Sequence, residues 1–495
     1  MKFEVHSSAI WIMCILPHLT VCAEKHRLII VGAGPAGIAA ATRLVSNGFE
    51  DFIILEAENR IGGRVHNIPY DENITVDLGA QLIFGQKGNV VYEMANEFNL
   101  VYTECPDYVK SFINVNSTGV QMDTDEASRM MRLLNVVIHE HMENHNGSLG
   151  QYVHERFKSE LSKKKETSHL AASPYFDQFM EFFGKAQNTL DGSDSWFEVS
   201  AKGYGTFVQK EGCEYISWKK GGFGNLFKLL MKQMPGQTPL DVSNKILLNK
   251  EVTKINWEDN NGVLVTCADG TQYSADKVLI TVSLGVLKSQ PDLFAPPLPP
   301  RKKTAIEGLF FGTVDKIFVK FSKKWWPGVF GFNFFWSKED EKHPLFKDTA
   351  LVDGQPWIMD VYGFYITSED PLTFVGCISG HAARYMESLT DKQVQIEVMK
   401  AFRFFLGAKY TIPEPARILT TSWGSNKHFR GSYSIRTLTT ERLNTSAAEL
   451  GAPVSNGMGK PVLLFAGEAT SEDQYATVNG AIETGWREAD RILKG

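Results

Sequence analysis

The sequence predicts an α/β fold in which a parallel sheet, assembled from three separated stretches of chain, is interleaved with a second, α+β domain. Three observations predict it: a strand–helix–strand pattern opening at Leu28, a β-rich patch from Val252 to Val282, and a strand-to-helix step recurring from Val462 to Leu493. The 495 residues are too many for one simple core, so two domains are expected.

Leu28–Val31 is a short apolar strand, Ala36–Asn47 a helix with small residues on one face, and Phe52–Leu55 a second strand. In the middle, Val252–Trp257 alternates and a turn at Asn260-Asn261-Gly262 follows. Val263–Cys267 returns, Asp269-Gly270 turns again, and Val278–Val282 closes the patch. At the far end Val462–Ala466 is apolar, and Asn479–Leu493 carries Ile482, Trp486, Ala489 and Ile492 on one helical stripe. Thr390 with Gln393 forms a capping box for a helix whose apolar face is Val394, Val398, Ala401, Phe402 and Phe405, ending at Gly407. The first domain is therefore expected from residues 24–84, 226–297 and 451–495, and the second from the insertions 85–225 and 298–450.

Composition narrows the function. Hydrophobic residues are 43% and charged residues 22%, an ordinary globular balance. The net charge of −6 and the scatter of basic residues give no concentrated basic face for nucleic acid, the run Lys163–Lys165 apart. Aromatics at 12% mostly build cores and hint only weakly at a flat-walled pocket. Residues 1–23 read as a signal peptide: Lys2, the apolar run Ala9–Leu16, then Val21-Cys22-Ala23 as a cleavage site. No later stretch reaches the ~20 apolar residues of a membrane span. Sequons at Asn73, Asn116, Asn146 and Asn444 fit a secreted glycoprotein. Beyond the leader, Cys105, Cys213, Cys267 and Cys377 show no metal-ligand spacing, and their separation leaves one bridge or buried free thiols both open.

Gly32-Ala33-Gly34-Pro35-Ala36-Gly37 sits between strand and helix. Gly32 makes the tight turn, Gly34 admits a pyrophosphate to the backbone, Gly37 lets helix and strand pack closely, and the helix N-terminus faces the phosphate charge. Glu56, nineteen residues beyond Gly37, ends the second strand where it can accept from ribose hydroxyls. This is a Rossmann-like dinucleotide site. The following loop adds Arg60, Gly62, Gly63 and Arg64, glycines for close approach and cations suited to a phosphate or a flavin carbonyl.

That loop, continued by Asp77-Leu78-Gly79-Ala80-Gln81, resembles the flavin-containing amine oxidases. So do Phe465-Ala466-Gly467-Glu468-Ala469-Thr470, Gly480-Ala481 before a helix, and Ala275–Lys288. Lys316-Ile317-Phe318-Val319-Lys320-Phe321, Trp325-Trp326-Pro327 and Ser422–Ser434 carry the likeness towards the polyamine oxidases, and the motifs run from about residue 27 to 493. The resemblance implies FAD and a catalytic lysine, Lys316, that holds a water against flavin N5. Its strand alternates, with Val314, Lys316 and Phe318 on one face and Asp315, Ile317 and Val319 on the other. A buried lysine there would tend towards a lowered pKa. By resemblance, Gly467, Glu468 and Thr470 line the ribityl and phosphate side, the Val252 backbone meets adenine, and Thr477 and Val478 lie beside the isoalloxazine. Ser432 stands where the monoamine oxidases carry a flavin-linked cysteine, which implies FAD bound without a covalent bond.

For substrate, Trp423 and Tyr433 resemble aromatic walls that flank an amine, Thr477 lies nearby, and Glu198 with Ser200 resemble the pair that holds a distal nitrogen in animal spermine oxidases. One departure stands out. Those enzymes show Trp-Ile-His-Gly after Leu-Gly-Ala, whereas this chain has Leu82-Ile83-Phe84-Gly85, so Phe84 replaces a polar group and puts the exact amine in doubt. The resemblance implies an oxidase of spermine, spermidine or acetylated forms, acting with dioxygen to give an aldehyde, a shorter amine and hydrogen peroxide. Whether the enzyme is a monomer or a dimer stays open. Two alternatives remain. A secreted L-amino-acid oxidase would need an arginine for the carboxylate, and Gln81 occupies one place where such enzymes carry it, leaving Arg430 or Arg436. A flavin-binding protein without turnover is the other.

Overall fold

The computed structural model describes residues 25–72, 74–105, 111–142, 144–163, 165, 167–172, 175–258, 262–367 and 370–495. The leader, Asn73 and the Asn260-Asn261 turn lie outside them. Lys25–Val31 pairs in parallel with Phe52–Leu55 on one side and with Gln272–Ile280 on the other, and Pro461–Phe465 extends the parallel set. These strands are near-continuous runs of Val, Ile, Leu and Phe because layers cover both of their faces. The sheet has nine strands, all from residues within 24–84, 226–297 and 451–495.

The strand read from the sequence as Val278–Val282 runs from Gln272 to Ile280. Its first half forms an antiparallel hairpin with Val263–Cys267 and its second half enters the parallel sheet, so one strand serves two pairings. Helices Pro35–Ser46 and Val478–Leu493 pack together on one face of this sheet. A side chain on Gly485 would come within 2.3 Å of the Ala36 carbonyl, and Arg43 is bonded to Asp490. The first and last segments are locked together at that point.

A six-stranded sheet belongs to the insertions, in the order Arg417–Thr420, Val314–Lys320, Thr373–Ser379, Gly363–Ile366, Gly331–Phe335, Phe112–Asn116. Helix Asp391–Leu406, with the Thr390–Gln393 capping box, lays Val394, Val398, Phe402 and Phe405 on it, Phe405 stacking on Phe334 at 4.4 Å. Much of the aromatic excess is spent in this core. Leu82–Ile83 pairs with Ile216–Ser217, tying the end of the first segment to the first insertion.

Cys105 and Cys213 form a disulfide, while Cys267 and Cys377 are free. Among the sequons, Asn146 and Asn444 are exposed. Asn116 corrects the sequence reading. It is 7% exposed and its side-chain oxygen accepts from Thr118 and Val120, which encloses the amide in its own turn. No helix of the described residues is long and apolar enough to cross a membrane.

Candidate active site

The phosphate cradle is built from backbone. Gly32 has φ +106°, a left-handed conformation closed to most residues, and a side chain there would meet Thr281 Oγ1 at 2.7 Å. A side chain on Gly37 would reach within 2.1 Å of the Gly32 carbonyl oxygen, so helix and strand touch only through glycine. Gly34 is the contrast: nothing lies within 4 Å of where its Cβ would stand. The helix it opens has no side-chain cap, which leaves first-turn N–H groups for an anion. A side chain on Gly63 would end 3.4 Å from the Gly34 Cα, and Gly467 also faces open space. Gly34 and Gly63, which approach each other, fit a dinucleotide pyrophosphate.

Glu56 is buried, its carboxylate accepting from the Ala33 N–H at 2.7 Å and the Glu58 N–H at 2.8 Å. Burial pushes its carboxyl above the usual range, against the pull of those two bonds. Both oxygens keep a lone pair for ribose hydroxyls. Val252 opens the strand beside it, close to where Lys250 N donates to the Glu56 carbonyl. Arg60 bonds the Gly63 carbonyl at 2.9 Å and pairs with Glu58, so it shapes the glycine loop.

Arg64 and Glu468 meet each other in the structure. Arg64 Nη1 donates to the Ser432 carbonyl at 2.6 Å and to Glu468 at 2.9 Å, with its guanidinium over the Phe311 ring. Glu468 also accepts from Ser434 Oγ and from the Ala476 N–H, both at 2.7 Å. A buried carboxylate needs this many donors to repay its desolvation. Through these bonds both residues tie the walls of the site together. Thr470 Oγ1 returns to the Gly467 carbonyl at 2.8 Å. Thr477 caps helix Val478–Leu493, accepting from Gly480 N at 2.9 Å and donating to the Gln474 carbonyl, so its hydroxyl is engaged; half-buried Val478 is the first helical residue.

Lys316 lies in an inner strand, bonded on both sides. Its ammonium donates to the Asp77 carbonyl at 2.9 Å, the Gly79 carbonyl at 2.8 Å and the Gln81 amide oxygen at 2.9 Å. Tyr365 donates to the same Gln81 oxygen at 3.1 Å. Gln81 and Tyr365 escaped sequence reasoning because their distance from Lys316 along the chain hides the contact. A water held by Lys316 must displace one of these acceptors, and the side chain of Gln81 is the one free to swing. On the opposite face, Asp315 accepts from Thr421 Oγ1 and Trp423 N, and burial together with nearby Glu387 pushes its carboxyl well up.

Trp423 packs against Gly79 and donates from Nε1 to the Leu78 carbonyl at 3.3 Å, which places it under the turn that receives Lys316. Tyr433 pairs with Gly312 across a two-stranded ladder and its hydroxyl donates to the Thr189 carbonyl. Phe84 is half-buried, edge-on to Tyr215 at 5.7 Å. Glu198 and Ser200 do not form a shared subsite. The Glu198 residue is exposed, whereas Ser200 is fully buried, bonded to Glu441 and capping the short helix Ala201–Tyr204.

The family described as flavin containing amine oxidoreductase matches residues 35–493. The chain belongs to that family. It is a flavin amine oxidase, and its cofactor is FAD without a covalent bond. Ser432, at the place of the linked cysteine, uses its hydroxyl to accept from the Val314 N–H and to donate to the Val314 carbonyl. The flavin amine oxidase is 28% identical to the "Peroxisomal N(1)-acetyl-spermine/spermidine oxidase" of Bos taurus, with 94% of each chain covered. It is also 28% identical to "Polyamine oxidase 6" of Oryza sativa subsp. japonica, covering 98% of this chain and 94% of that one. A solved putrescine oxidase bound to putrescine superposes with a TM-score of 0.66 at 18% identity, over 95% of this chain and 100% of the other, and shows the shared fold.

Proposed function

We propose that this amine oxidase acts on polyamines, namely spermine, spermidine or their acetylated forms. The observation that carries the reading is the Lys316 ammonium held under the Leu78–Gln81 turn with Trp423 packed on the same turn. The names of the bovine and rice relatives support it. FAD, which the Gly32–Gly37 turn, Glu56 and the Gly63 loop would hold, would supply the redox chemistry by which the carbon beside an unprotonated nitrogen is oxidised and dioxygen is reduced to hydrogen peroxide, with water opening the imine to an aldehyde and a shorter amine. The chain positions that carbon. Trp423 and Tyr433 supply flat faces for the amine, Lys316 with Gln81 holds a water and its proton, and the apolar Phe84–Tyr215 contact excludes bulk water. The amine must shed a proton to react, so activity rises from neutral towards mildly alkaline pH.

We place the enzyme in the secretory pathway. The Cys105–Cys213 bridge suits an oxidising compartment, and Asn146 and Asn444 offer exposed acceptors. The test of the main reading is peroxide release by the secreted holoenzyme on polyamines, monoamines and L-amino acids. Polyamine turnover that falls about 100-fold in Lys316→Met, with the flavin spectrum retained, is the expected result. A second reading, L-amino-acid oxidation, rests on Arg436, which is buried with its Nη1 unpartnered and could take a carboxylate. Turnover of amino acids alone selects it.

A further inference from the structure

Helix Tyr175–Asp191 ends on a carboxylate. Asp191 is 5% exposed; Oδ1 accepts from Gln187 Nε2 at 2.9 Å, and Oδ2 is buried without a hydrogen-bond partner. A buried carboxylate oxygen left unpaired is costly in any fold and calls for a partner. The next residue, Gly192, lies so close to Tyr433 that a side chain on it would meet the ring at 2.8 Å. Tyr433 in turn pairs with Gly312, whose backbone runs on to Lys316 over at most about 13 Å, so the carboxylate sits beside the aromatic wall on the chain segment that leads to the lysine. Tyr204, Tyr433 and Tyr475 all face it closely enough for a charge on Asp191 to push their hydroxyls up. An amine chain with a second nitrogen can offer one nitrogen to the reacting end and the other to Asp191, whereas a monoamine has only one to offer.

Resting on the polyamine reading above, we propose that Asp191 is the anchor for the substrate's distal ammonium, the nitrogen that does not react. The anchor explains why Glu198 and Ser200 need not serve. Burial pushes the Asp191 carboxyl up to about 7, with Gln187 opposing, so the resting group is poised between its two forms and an arriving cation favours the carboxylate. Asp191 acts on substrate position and charge selection, at a distance from the bond that breaks.

The test is Asp191→Asn, which keeps the shape and an oxygen for Gln187, in the holoenzyme. KM for a polyamine should rise about 10- to 100-fold, the range of one charged hydrogen bond, while kcat and the KM of a monoamine with the same reacting end stay within about twofold. Asp191→Glu should recover part of the loss. Equal losses on both substrates, or an unchanged polyamine KM, overturn the proposal. A wild-type enzyme that oxidises other amines but no polyamine refutes the substrate reading instead, and calorimetric titration of holoenzyme with spermine then decides Asp191. Spermine binding by wild type and not by Asp191→Asn upholds the anchor. Equal binding by both, or none by wild type, overturns it.

Discussion

Gly34 and Gly37 are three residues apart in one motif, yet the structure gives them opposite reasons to be glycine. Gly37→Ala puts a methyl 2.1 Å from the Gly32 carbonyl oxygen and 3.2 Å from Thr281 Oγ1. Neither backbone can yield without opening the helix from the strand. The overpacking costs about 1–3 kcal/mol, partly offset by about 1 kcal/mol of helix propensity. Gly34→Ala meets nothing within 4 Å, and its φ of −75° suits any residue. The loss as an N-cap is only a few tenths of a kcal/mol, on the order of the Gly–Ala difference there. The assay is urea unfolding of the flavin-free protein beside flavin content from visible absorbance. Gly37→Ala should lower apo stability by up to about 2 kcal/mol. Gly34→Ala should leave apo stability almost unchanged and weaken FAD binding at least about tenfold, because its methyl occupies the space for the pyrophosphate. A Gly34→Ala protein with wild-type FAD affinity would refute the cradle as drawn.

Asp191 also predicts a pH effect on folding. Its folded pKa of about 7 exceeds the unfolded value, so folding loses stability as pH rises through the window from about 4 to 7, by at most about 4 kcal/mol. The facing tyrosines, Tyr204, Tyr433 and Tyr475, are all pushed above their ordinary values and stay neutral across that window. Asp191→Asn should therefore gain stability at pH 8 relative to wild type and gain nothing at pH 4. A stability difference that does not change with pH contradicts the buried, ionisable assignment. Cys213→Ser opens a bridge joining residues 108 apart. The loss in unfolding free energy should be about 2–5 kcal/mol relative to the oxidised wild type, and the reduced wild type should match the variant. A variant as stable as the oxidised wild type removes the bridge from the account of stability.

Motifs of short range were legible because their chemistry is local. The Gly32–Gly37 turn, the Thr390–Gln393 capping box and the alternation around Lys316 each need only residues within one turn or one strand. The three-segment sheet was also legible, since continuous apolar runs mark strands buried on both faces. The roles of long polar side chains were less so. Arg64 and Glu468 are 404 residues apart, and that they meet each other was not legible in either motif. Ser200 read as a ligand and turned out to be a helix cap.

By itself, then, the sequence determined the α/β architecture, the dinucleotide cradle, the family and the lysine on an alternating strand, because backbone geometry and hydrophobic period are set by neighbours in the chain. Only the tertiary structure decided which acceptors the Lys316 ammonium finds, that Lys316 and Tyr365 share one Gln81 oxygen, and that Asp191 is left with an unpaired one. Burial and hydrogen-bond partnership are properties of surfaces that meet across hundreds of residues, and no local pattern encodes which surfaces those are.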